Sequence, residues 1–159
     1  MQSLYQHVDV STAPEDLDRL VRAVHHTCRR GIDERLWRHG ISVVQWHALR
    51  TINDNPGLPL RRLARLTGYS EQGFGTLVAR LLDGGYVVRR RENGRATTHE
   101  LTAVGRVMLA VANEIAHRVL TLLFLPLSEG DRQSLQVLLH RVIEGQWRLH
   151  LEPLPESAW

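Results

Sequence analysis

Eight arginines lie in the middle of this 159-residue chain, between residues 61 and 95. They are Arg61, Arg62, Arg65, Arg80, Arg89, Arg90, Arg91 and Arg95. Only three acidic residues share the segment, so its net charge is +5, whereas the other 124 residues carry −2. Guanidinium groups form forked hydrogen bonds with phosphates, and a basic segment inside a slightly acidic chain indicates a face that meets a polyanion. A solvated helix surface also accounts for many charge runs, so the elements that carry these arginines decide between the two interpretations.

The arginines coincide with the pattern of a helix-turn-helix. Apolar residues recur at helical spacing near 59–67 and again near 70–83, and Gly68-Tyr69 separates the two runs. In this motif the second helix enters the major groove of DNA with its first turn leading. We expect base or phosphate contacts from the start of that helix and phosphate contacts from the surrounding arginines. The predicted DNA-binding residues are Ser70, Gln72, Gly73, Thr76, Arg80, Arg61, Arg62, Arg89, Arg90 and Arg91.

Two glycines, Gly73 and Gly75, lie inside the predicted recognition helix. Each costs about 1 kcal/mol relative to alanine in a helix interior. Close approach of the backbone to DNA is one reason to keep them, and tight packing between helices is the other. The sequence does not choose between these two explanations.

A hairpin is predicted directly after the helix-turn-helix. The period changes from helical to strand-like after Gly85, and Asn93-Gly94 is a strong signal for a tight hairpin turn. We expect strands near 86–91 and 96–101. A small two-stranded wing therefore follows the fourth helix.

Four further helices surround this segment. Thr12 with Glu15 has the form of a capping box for a helix over 14–38 that Gly40 closes, and Ser42 with Gln45 opens a second helix that stops at Asn55. Near the other end, Thr102 caps a long helix that Pro126 terminates, and Ser128 caps a last helix that runs out before Pro153. The predicted order is α-α-α-α-β-β-α-α, without internal repeats or low-complexity linkers.

Composition limits the class of protein. The hydrophobic fraction of 43% excludes wholesale disorder, and no apolar run approaches the ~20 residues of a membrane-spanning helix. The single cysteine, Cys28, excludes an internal disulfide framework, and the N-terminus lacks a signal-peptide pattern, so we expect a cytoplasmic protein. No nucleophile elbow, P-loop or dinucleotide fingerprint is present, which argues against an enzyme.

These segments together resemble the MarR family of winged helix-turn-helix regulators, from about Glu15 to Arg148. The matching motifs are residues 41–46, Leu63-Ala64, residues 81–90 and Leu101–Arg106, of which the last looks like the family's Leu-Thr-x-x-Gly junction. The resemblance implies a mainly helical, single MarR-type unit over 1–159. A winged lobe over 41–101 (α-α-α-β-β) would lie between dimerisation helices at 12–40 and 102–150.

The same resemblance assigns a role to Arg95. The family's wing carries an Asp-x-Arg motif, and Arg95 falls on its arginine while Asn93 replaces its aspartate. We therefore expect Arg95 to enter the minor groove, where a narrow groove attracts guanidinium. Helix 4 also departs from the family pattern, with Gly75-Thr76 where many relatives carry Thr-Arg.

MarR-type proteins respond to small aromatic or anionic ligands between the dimer helices and the winged lobe, a place suited to an apolar pocket with a few polar groups. The candidates here are His25, Trp46, His47 and Arg50, although each residue type more often packs or faces solvent. The histidines form no i, i+4 pair with a further ligand, so neither a metal site nor a cofactor is predicted. Cys28 lies on the apolar stripe of helix 1, which favours packing over redox sensing.

The sequence therefore predicts a homodimer that binds a pseudo-palindromic double-stranded DNA operator, represses transcription and is released by a small ligand. The alternative is a helical dimer of the same fold that works through a protein partner or as a ligand-binding module with weak DNA affinity. The sparse recognition helix and the short wing favour this alternative. Neither hypothesis requires a membrane.

Overall fold

The structure, a computed structural model, describes residues 13–91 and 96–145. Its elements are α1 (Pro14–Leu36), a 3-10 turn (Trp37–His39), α2 (Val43–Asp54), α3 (Leu60–Thr67), α4 (Glu71–Asp83), β1 (Val87–Arg90), β2 (Thr98–Leu101), α5 (Ala103–Leu123) and α6 (Glu129–Glu144). This order confirms the predicted, mainly helical fold with a winged helix-turn-helix lobe. None of the described helices is long and apolar enough to cross a membrane.

Local chemistry sets most helix ends as predicted. Ser42 and Ser128 form capping boxes at the starts of α2 and α6, and the Ser70 hydroxyl accepts a hydrogen bond at the start of α4. Gly40 and Gly68 end the 3-10 turn and α3 with positive φ angles of 73° and 70°, which a residue with a Cβ adopts only at a cost. Capping residues therefore predict where these helices begin and end.

Two predicted helix ends differ from the structure. The N-cap of α1 is Ala13, without a side-chain cap, and Thr12 lies outside the described residues. Helix α5 ends at Leu123 instead of continuing to Pro126, and the N–H of Leu125 donates to the carbonyl of Leu122, a three-residue spacing typical of a tighter turn. A proline disfavours helical backbone in the residue before it, so the helix stops ahead of Pro126.

The wing is a two-stranded antiparallel sheet in which Val87 pairs with Leu101 and Arg90 with Thr98. Each strand is shorter than predicted, since Tyr86 and Arg91 and residues 96–97 lie outside the ladder. The predicted Asn93-Gly94 turn lies outside the described residues.

Two compact units divide the chain, Met1–Val119 and Leu120–Trp159. The core of the first unit joins α2, α3, α4 and the wing to the end of α1. Its largest fully buried side chains are Phe74, Leu36, Ile41, Leu49, Ile52, Leu63, Leu81, Val78 and Val87. The two helices of the helix-turn-helix are thus held rigidly by α2, which contacts both of them.

The Leu-Thr-x-x-Gly junction has a clear physical role between the wing and α5. The Thr102 hydroxyl donates to the carbonyl of Gly85 at 2.7 Å and accepts from the N–H of Gly105 at 3.0 Å. A Cβ at Gly105 would overlap the carbonyl oxygen of Tyr86. Only glycine therefore allows the backbone of α5 to lie this close to Tyr86, the residue before β1. The junction fixes the start of α5 to the base of the wing.

Apolar residues of α1 and α6 are largely exposed among the residues that the structure describes. In α1 only Ile32 and Leu36 are buried, whereas Leu20 on the same predicted stripe is 62% exposed. In the second unit α6 has no buried residue, and Val142 is 73% exposed. These stripes are present as predicted, but they face outward.

Candidate nucleic-acid interface

The turn between α3 and α4 has the geometry of a helix-turn-helix. Gly68 adopts a left-handed conformation that ends α3, and the N–H of Tyr69 donates to the carbonyl of Ala64 at 3.2 Å. The rings of Tyr69 and Phe74 lie 6.4 Å apart, which joins the turn to the buried face of α4. The opposite face of α4 is left exposed at its start.

The first turns of α4 offer few free hydrogen-bonding groups. The Ser70 hydroxyl oxygen accepts from the N–H of Gly73 at 3.1 Å, and the Thr76 hydroxyl donates to the carbonyl of Gln72 at 3.1 Å. Among the described residues, the side chains of Glu71 and Gln72 have no hydrogen-bond partner, and both residues are exposed. Glu71 was not among the predicted DNA-binding residues.

The two glycines of α4 have different surroundings. A Cβ at Gly73 would lie 3.1 Å from the Ser70 Oγ, so a larger residue would disturb the helix cap. A Cβ at Gly75 would lie 3.5 Å from the Leu60 Cδ2, an ordinary contact. Packing within the chain therefore explains Gly73 and does not explain Gly75.

Arginines between residues 61 and 91 mostly lack an acidic partner, whereas four of the seven on α1 and α5 form ion pairs. Arg22 contacts Asp18 at 2.7 Å and Arg118 contacts Glu114 at 2.7 Å. Within residues 61–91 and 96–101, the only ion pair joins Arg90 to Glu100, at 2.9 Å. The lobe arginines that have no acidic partner in the described chain are Arg61, Arg62, Arg65, Arg80, Arg89 and Arg91.

Strand register places the wing arginines on two faces. Val87, Leu101, Arg89 and His99 share the inner face, because Val87 pairs with Leu101 and Arg89 with His99. Arg90 lies on the outer face, where its guanidinium is partly neutralised by Glu100. Arg95, the predicted minor-groove residue, lies outside the described residues.

His99 is a buried residue that the sequence analysis did not single out. It is 7% exposed, and its Nδ1 has no hydrogen-bond partner within the described structure. Burial, with the charge of Arg89 as a smaller cause, holds the pKa of this imidazole below its usual value. The sequence did contain a signal for this burial: His99 lies two residues before Leu101 in β2, so both side chains are on the face that packs inward.

A cleft of about 470 Å³ lies between the wing, α4 and the start of α3. Its wall is apolar along α4 and polar along the wing. The lining residues are Leu60, Gly75, Val78, Ala79, Leu82, Arg89, Arg91, Thr97 and His99. The absent side chain of Gly75 helps to keep the cleft open.

A second cleft, of about 390 Å³, lies between α2, the end of α3 and α4, and it contains two of the four predicted ligand residues, His47 and Arg50. Partial desolvation lowers the pKa of His47, and repulsion from Arg50, Arg29 and His25 adds to the effect. His25 and Arg29 thus lie within electrostatic range of His47, although neither lines the cleft. The guanidinium groups of Arg50 and Arg29 give this region a positive charge.

Trp46, the fourth predicted ligand residue, lies beside His47, with 4.7 Å between the centroids of the two rings. It is buried, and its Nε1 donates to the Asn113 Oδ1 at 2.8 Å, so it links α2 to α5 and does not itself line the cleft. Adjacent residues of a helix point about 100° apart, which explains why His47 lines the cleft and the neighbouring indole does not.

Cysteine and metal chemistry have little support in the described structure. Burial raises the pKa of the half-buried Cys28 thiol, which disfavours the reactive thiolate. No cluster of three or more metal-ligating side chains occurs in the described ranges, 13–91 and 96–145.

Comparisons with known proteins agree with this geometry. A family model described as MarR family matches residues 39–96, which span α2 to the wing. No curated protein sequence matches the chain.

Solved structures match more of the chain. A MarR family protein of Mycobacterium tuberculosis in complex with p-aminosalicylic acid is 25% identical, with a TM-score of 0.68 over 82% of this chain and 98% of that one. A structure of that family protein with DNA is 23% identical, with a TM-score of 0.68 over 82% and 98%. A mutant MarR of E. coli with operator DNA is 20% identical, with a TM-score of 0.73 over 80% and 93%.

The two kinds of match cover the parts of the chain that carry the site. The family model spans α2, the helix-turn-helix and β1, and the solved structures match about four fifths of the chain. Residues 39–96 match the MarR family model, and the chain shares the winged helix-turn-helix fold of the solved MarR family proteins.

Proposed function

We propose that this protein is a homodimeric, sequence-specific DNA-binding repressor of transcription that a small aromatic or anionic ligand releases. The observation that carries the proposal is the set of six arginines around the helix-turn-helix and the wing that have no acidic partner among the described residues. A cationic face of this kind around a helix-turn-helix is suited to phosphates. Such a regulator acts in the cytoplasm.

The DNA-reading lobe, residues 41–101 in this proposal, presents the first turn of α4 to the major groove. Gln72 is free to form a bidentate contact with adenine, and Ser70 and Thr76 keep enough hydrogen-bonding capacity for bases or phosphates. Arg61, Arg62, Arg80, Arg89 and Arg91 supply phosphate contacts in this arrangement, with Arg90 contributing less because Glu100 partly neutralises it. The Arg95 guanidinium enters the minor groove, as the family resemblance implies.

Dimerisation is assigned to the helices that flank the lobe, residues 12–40 and 102–150. Their support is the exposure of apolar residues, such as Leu20 in α1 and Val142 in α6, that soluble proteins do not leave uncovered in contiguous patches. Pairing through these faces would set two lobes at a half-site spacing of about 34 Å, one turn of DNA.

The ligand is assigned to the cleft that contains His47 and Arg50, with His25 and Arg29 nearby. A carboxylate or phenolate relieves the mutual repulsion of this cationic region, while Phe74 and Leu77 offer apolar contact for a ring. The relative crystallised with p-aminosalicylic acid, an aromatic acid, is in keeping with that chemistry. A ligand that favours another lobe spacing would release the operator.

Gel-shift titration against the DNA upstream of the protein's own gene tests the proposal. We expect retardation at low salt that weakens steeply as salt rises, since bound arginines release counterions from DNA. Arg80→Ala and Arg95→Ala should each weaken binding, and Arg80→Ala should reduce the salt slope by about 0.9. Arg118→Ala, which removes a paired arginine on α5, is the matched control and should leave binding unchanged.

A second candidate is a MarR-like dimer that binds a protein partner or a ligand and contacts DNA weakly. The observation in its favour is the sparse start of α4, where Glu71 and Gln72 are the described polar side chains that form no hydrogen bond within the protein. The same titration separates the two candidates: absence of retardation at low salt would leave only this second one.

A further inference from the structure

We propose that Glu71 is a specificity-determining residue that reads a cytosine in the operator. This inference rests on the proposed DNA-binding function and adds to it a residue that the predicted contact set did not include. Glu71 is the first residue of α4, directly after the Ser70 cap, and it is exposed. It therefore lies at the part of the helix that leads into the major groove.

The choice of Glu71 follows from which groups are already used. The Ser70 hydroxyl oxygen is engaged by the N–H of Gly73, and the Thr76 hydroxyl proton is engaged by the carbonyl of Gln72. Gly73 and Gly75 have no side chains. In the described first two turns of α4, Glu71 and Gln72 are the only polar side chains that form no hydrogen bond or ion pair within the protein.

A carboxylate at this position is expected to weaken the sequence-independent part of DNA binding. The segment from Arg61 to Arg95 is strongly basic, yet no arginine of the described lobe pairs with Glu71. Phosphates repel the carboxylate as the helix approaches DNA, so every sequence that gives it no hydrogen bond is penalised. Glu71 thus discriminates by repulsion as well as by contact.

The chemistry of the groove selects the base. A carboxylate only accepts hydrogen bonds, and the major-groove donors are the amino groups of cytosine N4 and adenine N6. Adenine presents its N7 acceptor beside the amino group, which favours an amide such as Gln72 over a carboxylate. Cytosine N4 is therefore the partner for Glu71, and Gln72, about 100° away on the helix, reads a different base pair.

Selection of duplexes from a random pool, followed by titration of single-base variants, tests this assignment. With wild-type protein we expect one position in each half-site to prefer cytosine by about tenfold, the usual cost of one mismatched pair. Glu71→Gln should move the preference at that position from cytosine to adenine. It should also strengthen binding to random duplex, because a charge that repels phosphate is lost.

Glu129→Gln is the matched control, since Glu129 is also the first residue of a helix after a capping serine but belongs to α6. Both substitutions remove a carboxylate that stabilises a helix N-terminus by a similar amount, so equal changes in melting temperature are expected. Only the substitution at Glu71 should change base preference. An unchanged cytosine preference in Glu71→Gln, or a wild-type half-site without a cytosine preference, would overturn the assignment. Failure of the wild-type protein to bind any duplex would instead refute the proposed function.

Discussion

Replacing Gly75 by alanine should stabilise the protein and weaken its binding to DNA. The added Cβ meets the Leu60 Cδ2 at 3.5 Å, an ordinary contact, so the chain accommodates it without rearrangement. Alanine is better than glycine by about 1 kcal/mol in a helix interior. Allowing for the partly buried site, we expect a gain of about 0.5–1 kcal/mol, which raises the melting temperature by about 1–4 °C in a chain of this size.

DNA affinity should move in the opposite direction. In the proposed DNA complex Gly75 lies near the part of α4 that enters the groove, and packing does not require the glycine, so we attribute it to close approach of DNA. A methyl group there would hold the helix away from the duplex and weaken operator binding by about tenfold, or ~1.4 kcal/mol. Thermal denaturation and gel-shift titration of the same preparation measure both effects.

Gly73→Ala is the companion variant. Its Cβ would lie 3.1 Å from the Ser70 Oγ and disturb the cap, whose loss costs about 1 kcal/mol, so the helix-propensity gain should be cancelled. The reasoning on Gly75 is refuted if Gly75→Ala lowers the melting temperature, because packing would then require the glycine. It is equally refuted if Gly75→Ala binds the operator as tightly as wild type.

Three further predictions concern the framework of the lobe. Thr102→Ala should lower the melting temperature by about 2–8 °C, since it removes the cap of α5 and the bond to Gly85, whereas Thr102→Ser should retain most of that stability. Between pH 7 and pH 5 the stability of wild type should fall more than that of His99→Gln, as measured by denaturant titration. Burial keeps folded His99 neutral while the unfolded imidazole takes up a proton below about pH 6.5, so acid favours unfolding. Trp46→Phe should cost about 1–2 kcal/mol through the lost bond to Asn113 and leave ligand affinity, measured by calorimetry, unchanged.

Features that depend on neighbouring residues in the chain were predictable from the sequence. Ser42, Ser70 and Ser128 marked helix starts correctly because a cap uses backbone groups within three residues. The change of period after Gly85 likewise located the wing. The end of α5 was placed too late because the effect of Pro126 extends to the residues before it.

Features that depend on the packing of distant segments were not predictable. Trp46 and His47 are adjacent in sequence, and only the position of Asn113 on α5 shows that the indole faces the core while the imidazole faces a cleft. The burial of His99 depends on the strand register that pairs it with Arg89. The lack of an ion pair at Glu71 depends on where the described arginines of the lobe point. Residue type predicted which side chains could bind DNA or a ligand. The tertiary structure determined which of those side chains are exposed and free of partners within the protein.

The outward apolar face of α6 has a consequence for how stability should be measured. An isolated helix of 16 residues is marginal in water, and α6 has no buried residue in the single chain. If a second copy covers this face, the helix gains its packing only from association, and folding becomes linked to protein concentration. Melting temperatures of this protein should then rise as the solution is made more concentrated, so variants must be compared at one concentration.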